Sequence, residues 1–191
     1  RAASVVFAAP TYLAPYLIED APPASGFVYS PWLVANLTLH RLPRERGIET
    51  AWDNVLYNSP SLGYVVATHQ SLRTRIERSV WTYYWALASG DPRHVRQTLL
   101  DTPWHVWAGR ILADLERAHP DIRECVSRID IMRFGHAMAR PVPGFLKSES
   151  RLRFARASGS LLYANSDLSG LSLFEEAQYR GVAAANRLLN R

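Results

Sequence analysis

Two hydrophobic patterns follow one another along the chain. The segment ASVVFAAP near the start is almost wholly apolar and closes at Pro10. A run of this length without alternation is typical of a strand buried on both faces of a parallel sheet. The later segments WLVANLTL, GYVVATHQ and VWTYYWALA are rich in β-branched and aromatic residues. They predict antiparallel strands. In WLVANLTL, the apolar positions that share one face are Leu33, Ala35, Leu37 and Leu39. In VWTYYWALA, the aromatic positions that share one face are Trp81, Tyr83 and Trp85.

Helix signals follow these strands. Asp91 before Pro92 predicts an N-terminal cap followed by a first helical residue, and Thr102 before Pro103 predicts a second helix start. Beyond Pro103, apolar residues recur every three or four positions and predict one buried stripe: Trp104, Trp107, Ile111, Leu115 and Ala118. The segment ECVSRIDIMRFG is again strand-like, and the proline-marked HAMARPVPGFLKSES after it is predicted to be irregular.

The C-terminal segment combines a strand with a long helix. SLLYA predicts a strand, and Ser172 with Glu175 predicts a capping box at the start of the last helix. The predicted buried stripe of that helix is Leu173, Ala177, Gly181, Ala184 and Leu188. The fold class is therefore α/β plus α+β. Residues 1–18 and 157–191 are expected to form a parallel α/β layer, and residues 26–145 an inserted antiparallel-sheet domain backed by helices.

Composition narrows the classes of function. Hydrophobic residues make up 48% of the 191 residues and charged residues 20%, and no apolar run is long enough for a transmembrane helix. The net charge is +5, but acidic residues lie between the arginine clusters, so we expect no nucleic-acid partner. Because no apolar run is long enough to span a bilayer, we expect no membrane partner either. The single cysteine, Cys125, is expected to be a buried structural residue, which fits a reducing cytoplasm. No histidine pair has the spacing of a metal site.

The glycine motifs of nucleotide-binding proteins are missing: the sequence contains neither G-x-G-x-x-G nor G-x-x-x-x-G-K-[ST]. Three segments nevertheless stand in a familiar order, VVFAAP, IMRFGHAMARPVPG and ANSDLSGLSLFEEAQYRGVAAANRLL. In this order the chain resembles the C-terminal part of the FAD-dependent amine oxidase family, which includes monoamine oxidases and phytoene-desaturase-like flavoenzymes. The family commonly has Ala-Gly-Asp or Ala-Gly-Glu where this chain has Asn165-Ser166-Asp167, so a serine replaces the glycine and the acid is kept.

The resemblance implies a function and a set of cofactor-binding residues. The first and last segments would be the returning part of a Rossmann-like FAD domain, and residues 26–145 its substrate domain. The protein would be an enzyme that oxidises a C–H bond of an amine or another small substrate by hydride transfer to FAD. The predicted FAD contacts are Ala9, Pro10, Asp167, Gly170, Leu171 and Ser172. Asp167 would accept hydrogen bonds from ribityl or ribose hydroxyls, and the helix start near Gly170 would meet the flavin.

The substrate domain supplies further candidates. Residues predicted to face the substrate are Asn36, Tyr64, Tyr83 and His136; Lys147 matches no family position, and no catalytic residue is identified. The partner implied is the N-terminal half of the same chain, which would carry the pyrophosphate motif, so the 191 residues alone would bind FAD poorly and be inactive. An exposed sheet edge would favour homo-oligomers. The alternative is a self-contained, non-enzymatic α+β domain that binds a ligand or a protein.

Overall fold

The computed structural model describes residues 2–73, 75–156 and 159–190. Residues 1, 157, 158 and 191, which the predicted FAD domain includes, lie outside the described residues. The strands are β1 Val5–Phe7, β2 Val28–Leu39, β3 Asp53–Asn54, β4 Tyr64–Val66, β5 Ser79–Ala86, β6 Val126–Arg140 and β7 Leu161–Tyr163. The helices are α1 Ala14–Leu17, α2 Pro92–Asp101, α3 Trp104–Glu116, α4 Ile122–Cys125, α5 Glu149–Ala155 and α6 Phe174–Leu189. Short 3-10 turns lie at Thr11–Leu13, Ala67–Gln70, Phe145–Lys147 and Ser166–Ser169.

The strands form two sheets of different kinds. β1 and β7 pair in parallel as a two-stranded sheet. The other strands form a five-stranded sheet in the order β3-β4-β5-β2-β6, in which the pairs β3–β4, β4–β5 and β2–β5 are antiparallel. The predicted mixture of a parallel layer and an antiparallel sheet is therefore confirmed at this level.

The chain divides into two compact units. One contains residues 1–30 and 136–191, and the other contains residues 31–135. The predicted inserted domain was wider, from 26 to 145. Residues at both of its ends belong to the first unit because Phe27 packs edge-to-face against Phe145, with ring centroids 5.5 Å apart.

The core of the second unit lies between its sheet and its helices. All four predicted core positions of β2 are buried, because alternate residues of a strand point to the same face. They pack in one cluster with Trp81 and Tyr83 of β5 and with Trp107, Ile111 and Leu115 of α3. The predicted stripe of α3 is thus buried in its middle, while Trp104 at its start is exposed. Cys125 is buried in the same cluster.

The first unit has a smaller, aromatic core. Its buried members include Phe27, Tyr29, Phe145, Phe154 and Tyr163. Phe154 of α5 meets both Phe27 and Tyr163 edge-to-face, with centroid distances of 5.6 and 4.8 Å. Edge-to-face contact is a preferred geometry of aromatic pairs and adds to the burial of their apolar area.

Two predictions about burial in the first unit are wrong. β1 was expected to be buried on both faces, yet Val5 and Val6 are 51% and 40% exposed, because the described parallel sheet has only two strands. The stripe of α6 was expected to be buried, yet Leu173 is 54% exposed and only Ala184 is buried.

Several predicted boundaries also need correction. Asp91 caps α2 as predicted and accepts hydrogen bonds from two backbone N–H groups. Thr102 does not cap α3; its hydroxyl donates to the carbonyl of Thr98, and Pro103 precedes the helix without a side-chain cap. β4 ends at Val66 and continues as a 3-10 turn, and β6 continues to Arg140 through part of the segment expected to be irregular.

The described residues contain neither a candidate membrane span nor a metal-binding group of side chains. None of their helices has the length and apolar character needed to cross a bilayer. No group of three or more His, Cys, Asp or Glu side chains among them is arranged to hold a metal ion.

Gly63 provides a test of the fold of the second unit. It has φ +95°, and a Cβ there would lie 1.9 Å from the carbonyl oxygen of Asn54. We expect Gly63→Ala to lower the free energy of unfolding by more than about 2 kcal/mol, because steric overlap adds to the backbone strain. Chemical denaturation followed by tryptophan fluorescence measures the change.

Gly47→Ala is the matched control. Gly47 also has a positive φ, +85°, but a Cβ there would meet nothing within 4 Å. The Gly47→Ala substitution should lower the free energy of unfolding only by its backbone strain, about 1–2 kcal/mol. Equal losses in the two variants would contradict the packing around Gly63.

Candidate functional site

The parallel pairing of β1 with β7 brings distant parts of the chain to one edge. Val5, Val6 and Phe7 lie opposite Leu161, Leu162 and Tyr163. The residues that follow each strand, from Ala9 and from Asn165 onward, therefore meet at the carboxyl ends of the strands. In open parallel α/β sheets this is the edge where ligands bind.

Asp167 is the centre of this edge. Its side chain is buried, and its Oδ2 atom accepts hydrogen bonds from the backbone N–H of Thr11 at 2.7 Å and from the hydroxyl of Tyr29 at 2.6 Å. A buried carboxylate needs such donors because it has lost its hydration. Asp167 therefore fastens the residues after β1 and the start of β2 to the residues after β7.

Asn165 completes the attachment. Its Oδ1 accepts hydrogen bonds from the Thr11 hydroxyl at 3.2 Å and from the Asp167 backbone N–H at 3.1 Å, and its Nδ2 donates to the carbonyl of Ala9 at 2.7 Å. Pro10 lies between these two anchored residues and begins the 3-10 turn. The predicted residues Ala9, Pro10 and Asp167 thus lie together.

Tyr29 is held in its neutral form. Burial, and then the hydrogen bond to Asp167 and the charge of that carboxylate, raise the pKa of Tyr29 far above its usual value. Its phenol is therefore a hydrogen-bond donor at neutral pH.

His136 lies against the same group. Its ring stacks on Tyr12 with a centroid distance of 4.3 Å and an interplanar angle of 20°. It also meets the edge of Tyr29 at 5.7 Å, and Tyr12 and Tyr29 contact each other at 5.2 Å. Two predicted site residues from distant segments, His136 and Asp167, are thus joined through Tyr29. We call Thr11, Tyr12, Tyr29, His136, Asn165 and Asp167 the strand-end cluster.

Gly170 fulfils a packing role. It has φ +71°, and a Cβ there would lie 2.8 Å from Cε1 of Phe145. Glycine is therefore required by its positive φ and by the close approach of the Phe145 ring. Leu171 after it is half-exposed.

The start of α6 differs from the predicted capping box. Ser172 Oγ accepts a hydrogen bond from the backbone N–H of Ala139 at 3.0 Å, and the residue at the N-cap position, Leu173, makes no side-chain capping bond. The capping-box prediction is wrong because Ser172 lies one residue too early and is engaged by the end of β6. The first turn of α6 consequently lacks a side-chain cap.

The other predicted residues belong to the second unit. Asn36 accepts a hydrogen bond from the Thr82 hydroxyl across the β2–β5 pair at 2.9 Å. Tyr83 is fully buried, and its hydroxyl donates to Asp114 at 2.9 Å, so it is a core residue. Tyr64 is buried as well and lines a cavity of about 320 Å³ together with His119.

Tyr64 and His119 form a buried pair. The Tyr64 hydroxyl and His119 Nε2 are 2.5 Å apart. Burial raises the pKa of Tyr64 to about 12 and lowers the pKa of His119 below its usual value. Both groups are therefore neutral near pH 7, with the phenol donating to the imidazole.

The sequence reasoning missed Thr11, Tyr12, Tyr29 and His119. For Thr11 and Tyr12 a signal existed, since they directly follow Pro10 at the end of a predicted parallel strand. No sequence signal pointed to Tyr29 or His119, because only the fold brings Tyr29 to Asp167 and His119 to Tyr64.

Comparison with known protein families gave no match, and no curated protein matches the sequence.

Removal of the Tyr29 hydroxyl tests the strand-end cluster. Tyr29→Phe keeps the ring but leaves Asp167 with one donor fewer, so the free energy of unfolding should fall by about 1.5–3 kcal/mol. Tyr16→Phe is the matched control, because Tyr16 is 83% exposed and should change stability by less than about 0.5 kcal/mol. Urea titrations of both variants give the values; a Tyr29→Phe protein as stable as the control would contradict the bond to Asp167.

The Tyr64–His119 pair predicts a pH dependence. Folding lowers the pKa of His119, so below about pH 6.5 the unfolded chain binds the proton that the folded protein resists. The Tyr64–His119 pair therefore contributes to folding stability above that pH, and this contribution decreases as the pH falls below it.

His119→Gln tests this dependence, because glutamine keeps an acceptor for Tyr64 but does not titrate. The free energy of unfolding is measured at about pH 7.5 and at about pH 5.5. Its decrease between these two pH values should be larger in the wild type than in the variant. Equal decreases would mean that His119 titrates as an unperturbed histidine.

Proposed function

We propose that this protein is an FAD-dependent oxidoreductase of the amine oxidase type. The first unit is the returning part of its Rossmann-like FAD domain, and the second unit is its substrate domain. One observation carries this proposal: β1 and β7 pair in parallel although a complete antiparallel-sheet unit separates them in the sequence. The resemblance requires this topology, in which the chain leaves a parallel layer and returns to it.

The start of α6 fits the predicted flavin contact. The N-terminus of a helix carries a partial positive charge and unpaired N–H groups, both of which favour a negatively charged ligand group. Here no side-chain cap occupies that end, and the half-exposed Leu171 precedes it. These N–H groups are suited to the negative charge that a reduced flavin carries.

The strand-end cluster fits a supporting role beside the cofactor. The hydrogen bonds that Asp167 accepts from Thr11 and Tyr29 both go to Oδ2. The predicted bond from a ribityl or ribose hydroxyl therefore falls to Oδ1. The same hydrogen bonds hold Ala9 and Pro10 at the edge of the sheet.

The exposed apolar surface of the first unit fits further layers of a flavin domain. Val5 and Val6 of β1 are substantially exposed, and α6 carries exposed Phe174, Val182 and Leu189. Such residues are buried where additional strands and helices extend a parallel sheet. The pyrophosphate would be bound outside the 191 residues, because these contain no G-x-G-x-x-G.

FAD supplies the redox chemistry, taking a hydride from a C–H bond of an amine or another small substrate. The role of the first unit is to position the flavin, and the second unit provides the substrate domain on the same chain. By themselves they are expected to be inactive.

The test is the flavin content of the protein produced from its complete gene. We expect it to purify with stoichiometric FAD, measured by its visible absorbance and by chromatography of the released cofactor. A folded full-length protein that neither contains nor takes up FAD would overturn the proposal.

A charge at the start of α6 tests the predicted contact. In the full-length protein, Leu171→Glu should make the flavin harder to reduce, because a carboxylate repels the charge of the reduced ring. A charge at a helix N-terminus interacts with about 0.3–1 kcal/mol, so the two-electron reduction potential should fall by roughly 6–20 mV. Leu100→Glu is the control, because Leu100 is exposed to a similar degree, 46%, on α2 of the second unit. If Leu171→Glu and Leu100→Glu have the same flavin reduction potential, the flavin does not lie at the start of α6.

A further inference from the structure

Two arginines of the first unit meet at one carbonyl oxygen. Arg151 of α5 donates from Nε to the carbonyl of Leu168 at 2.6 Å and from Nη1 to the carbonyl of Leu146 at 2.8 Å. Arg180 of α6 donates from Nη2 to the same Leu168 oxygen at 3.4 Å and from Nε to Ser169 Oγ at 2.9 Å. These hydrogen bonds fix both guanidinium groups close together, beside the turn that follows β7.

Neither arginine has a counter-ion among the described residues. The ion pairs in this part of the chain include neither Arg151 nor Arg180. Glu176 lies one turn before Arg180 on α6 but forms no ion pair with it, and the Asp167 carboxylate is bound to the donors of the strand-end cluster. Two positive charges are therefore held together without a carboxylate that neutralises them.

This proximity has an energetic cost. Burial, and then the charge of Arg180, lower the pKa of Arg151 below its usual value. Both guanidinium groups nevertheless remain protonated at neutral pH, because the pKa of an arginine is so high. A bound anion would relieve the repulsion, since an opposite charge nearby favours the charged form of each group.

Each arginine also keeps one nitrogen available to a ligand. Arg151 Nη2 and Arg180 Nη1 make no hydrogen bond within the described part of the chain. Among buried side-chain nitrogens and oxygens of the described residues, Trp81 Nε1 alone lacks a partner, so these two arginine nitrogens are accessible. An anion from solution can therefore reach them without displacing the hydrogen bonds that hold the side chains.

The charge and shape of the pair favour phosphate. A phosphate monoester carries a charge of about −1.5 to −2 near pH 7, which matches two guanidinium groups. The planar fork of N–H groups on arginine also fits the spacing of phosphate oxygens. A carboxylate carries a single negative charge and would leave one of the two arginines without a counter-ion.

We propose that Arg151 and Arg180 form a binding site for the phosphate group of a small molecule, with Arg151 Nη2 and Arg180 Nη1 as donors. This site goes beyond the flavin function and does not depend on it. The pyrophosphate of FAD is assigned to a glycine motif outside the 191 residues, whereas both arginines lie within the first unit.

Isothermal titration calorimetry of the full-length protein with inorganic phosphate tests the site. In a low-salt buffer at about pH 7.5, phosphate should bind with a Kd of about 1 mM or lower, and acetate at least tenfold more weakly. Undetectable phosphate binding, or equal binding of phosphate and acetate, would overturn the proposal. Release of FAD when phosphate is added would also overturn it, because the arginines would then belong to the cofactor site.

Arg180→Gln locates the site. Glutamine keeps an amide donor for the turn but removes one charge and the fork, so phosphate affinity should fall roughly tenfold or more. Arg187→Gln is the matched control, because it removes the same charge from the same helix. Arg187 is exposed, and its one hydrogen bond goes from Nη1 to the carbonyl of Ala155 at 3.3 Å. The control should change phosphate affinity less than about twofold. Equal losses in the two variants would indicate general attraction by a positive surface and overturn the paired site.

Ser169→Asp approaches the site from the opposite side. Ser169 Oγ accepts from Arg180 Nε, so an aspartate there supplies the missing carboxylate. Phosphate binding should be lost in this variant, while the midpoint of thermal unfolding should not decrease. Phosphate binding as tight as in the wild type would contradict the proposal. If Arg180→Gln does not fold, Ser169→Asp and the Arg187→Gln control still decide it.

Discussion

The first unit depends on one buried carboxylate. β1 and β7 have only three residues each, too few for their backbone hydrogen bonds alone to hold together segments so far apart in the sequence. Asp167 fastens the same edge by accepting hydrogen bonds from Thr11, 156 residues away, and from Tyr29, 138 residues away. Thr11 follows β1 and Tyr29 lies at the start of β2, so these two hydrogen bonds add to those of the parallel strand pair.

The periodic parts of the sequence predicted the fold best. The four apolar positions of β2 and the cap at Asp91 are as expected, because alternation and capping are local properties. Ser172 failed as a cap because its hydroxyl pairs with Ala139, a residue distant in the chain. β1 was expected to be buried because its sequence is almost wholly apolar. The composition of a strand does not reveal how many strands surround it.

The candidate site shows the same limit. The resemblance predicted Ala9, Pro10 and Asp167, and the structure brings them together. It did not predict that the carboxylate is already paired with Tyr29, since neither composition nor spacing connects residues in different segments. Tyr83 was expected to face a substrate, but an aromatic residue on a strand gives the same pattern whether its face meets a ligand or the core.

The most direct test of this account is the exchange rate of the Thr11 amide proton, measured by hydrogen–deuterium exchange NMR. Its N–H lies beyond the end of β1, and its partner in the described structure is the Asp167 side chain, so a loss of protection when Asp167 is replaced reports on this hydrogen bond. We predict protection comparable to that of the Val5 amide in the wild type, and its loss in Asp167→Ala. A Thr11 amide that exchanges as fast as an exposed one in the wild type would contradict the central role of the carboxylate.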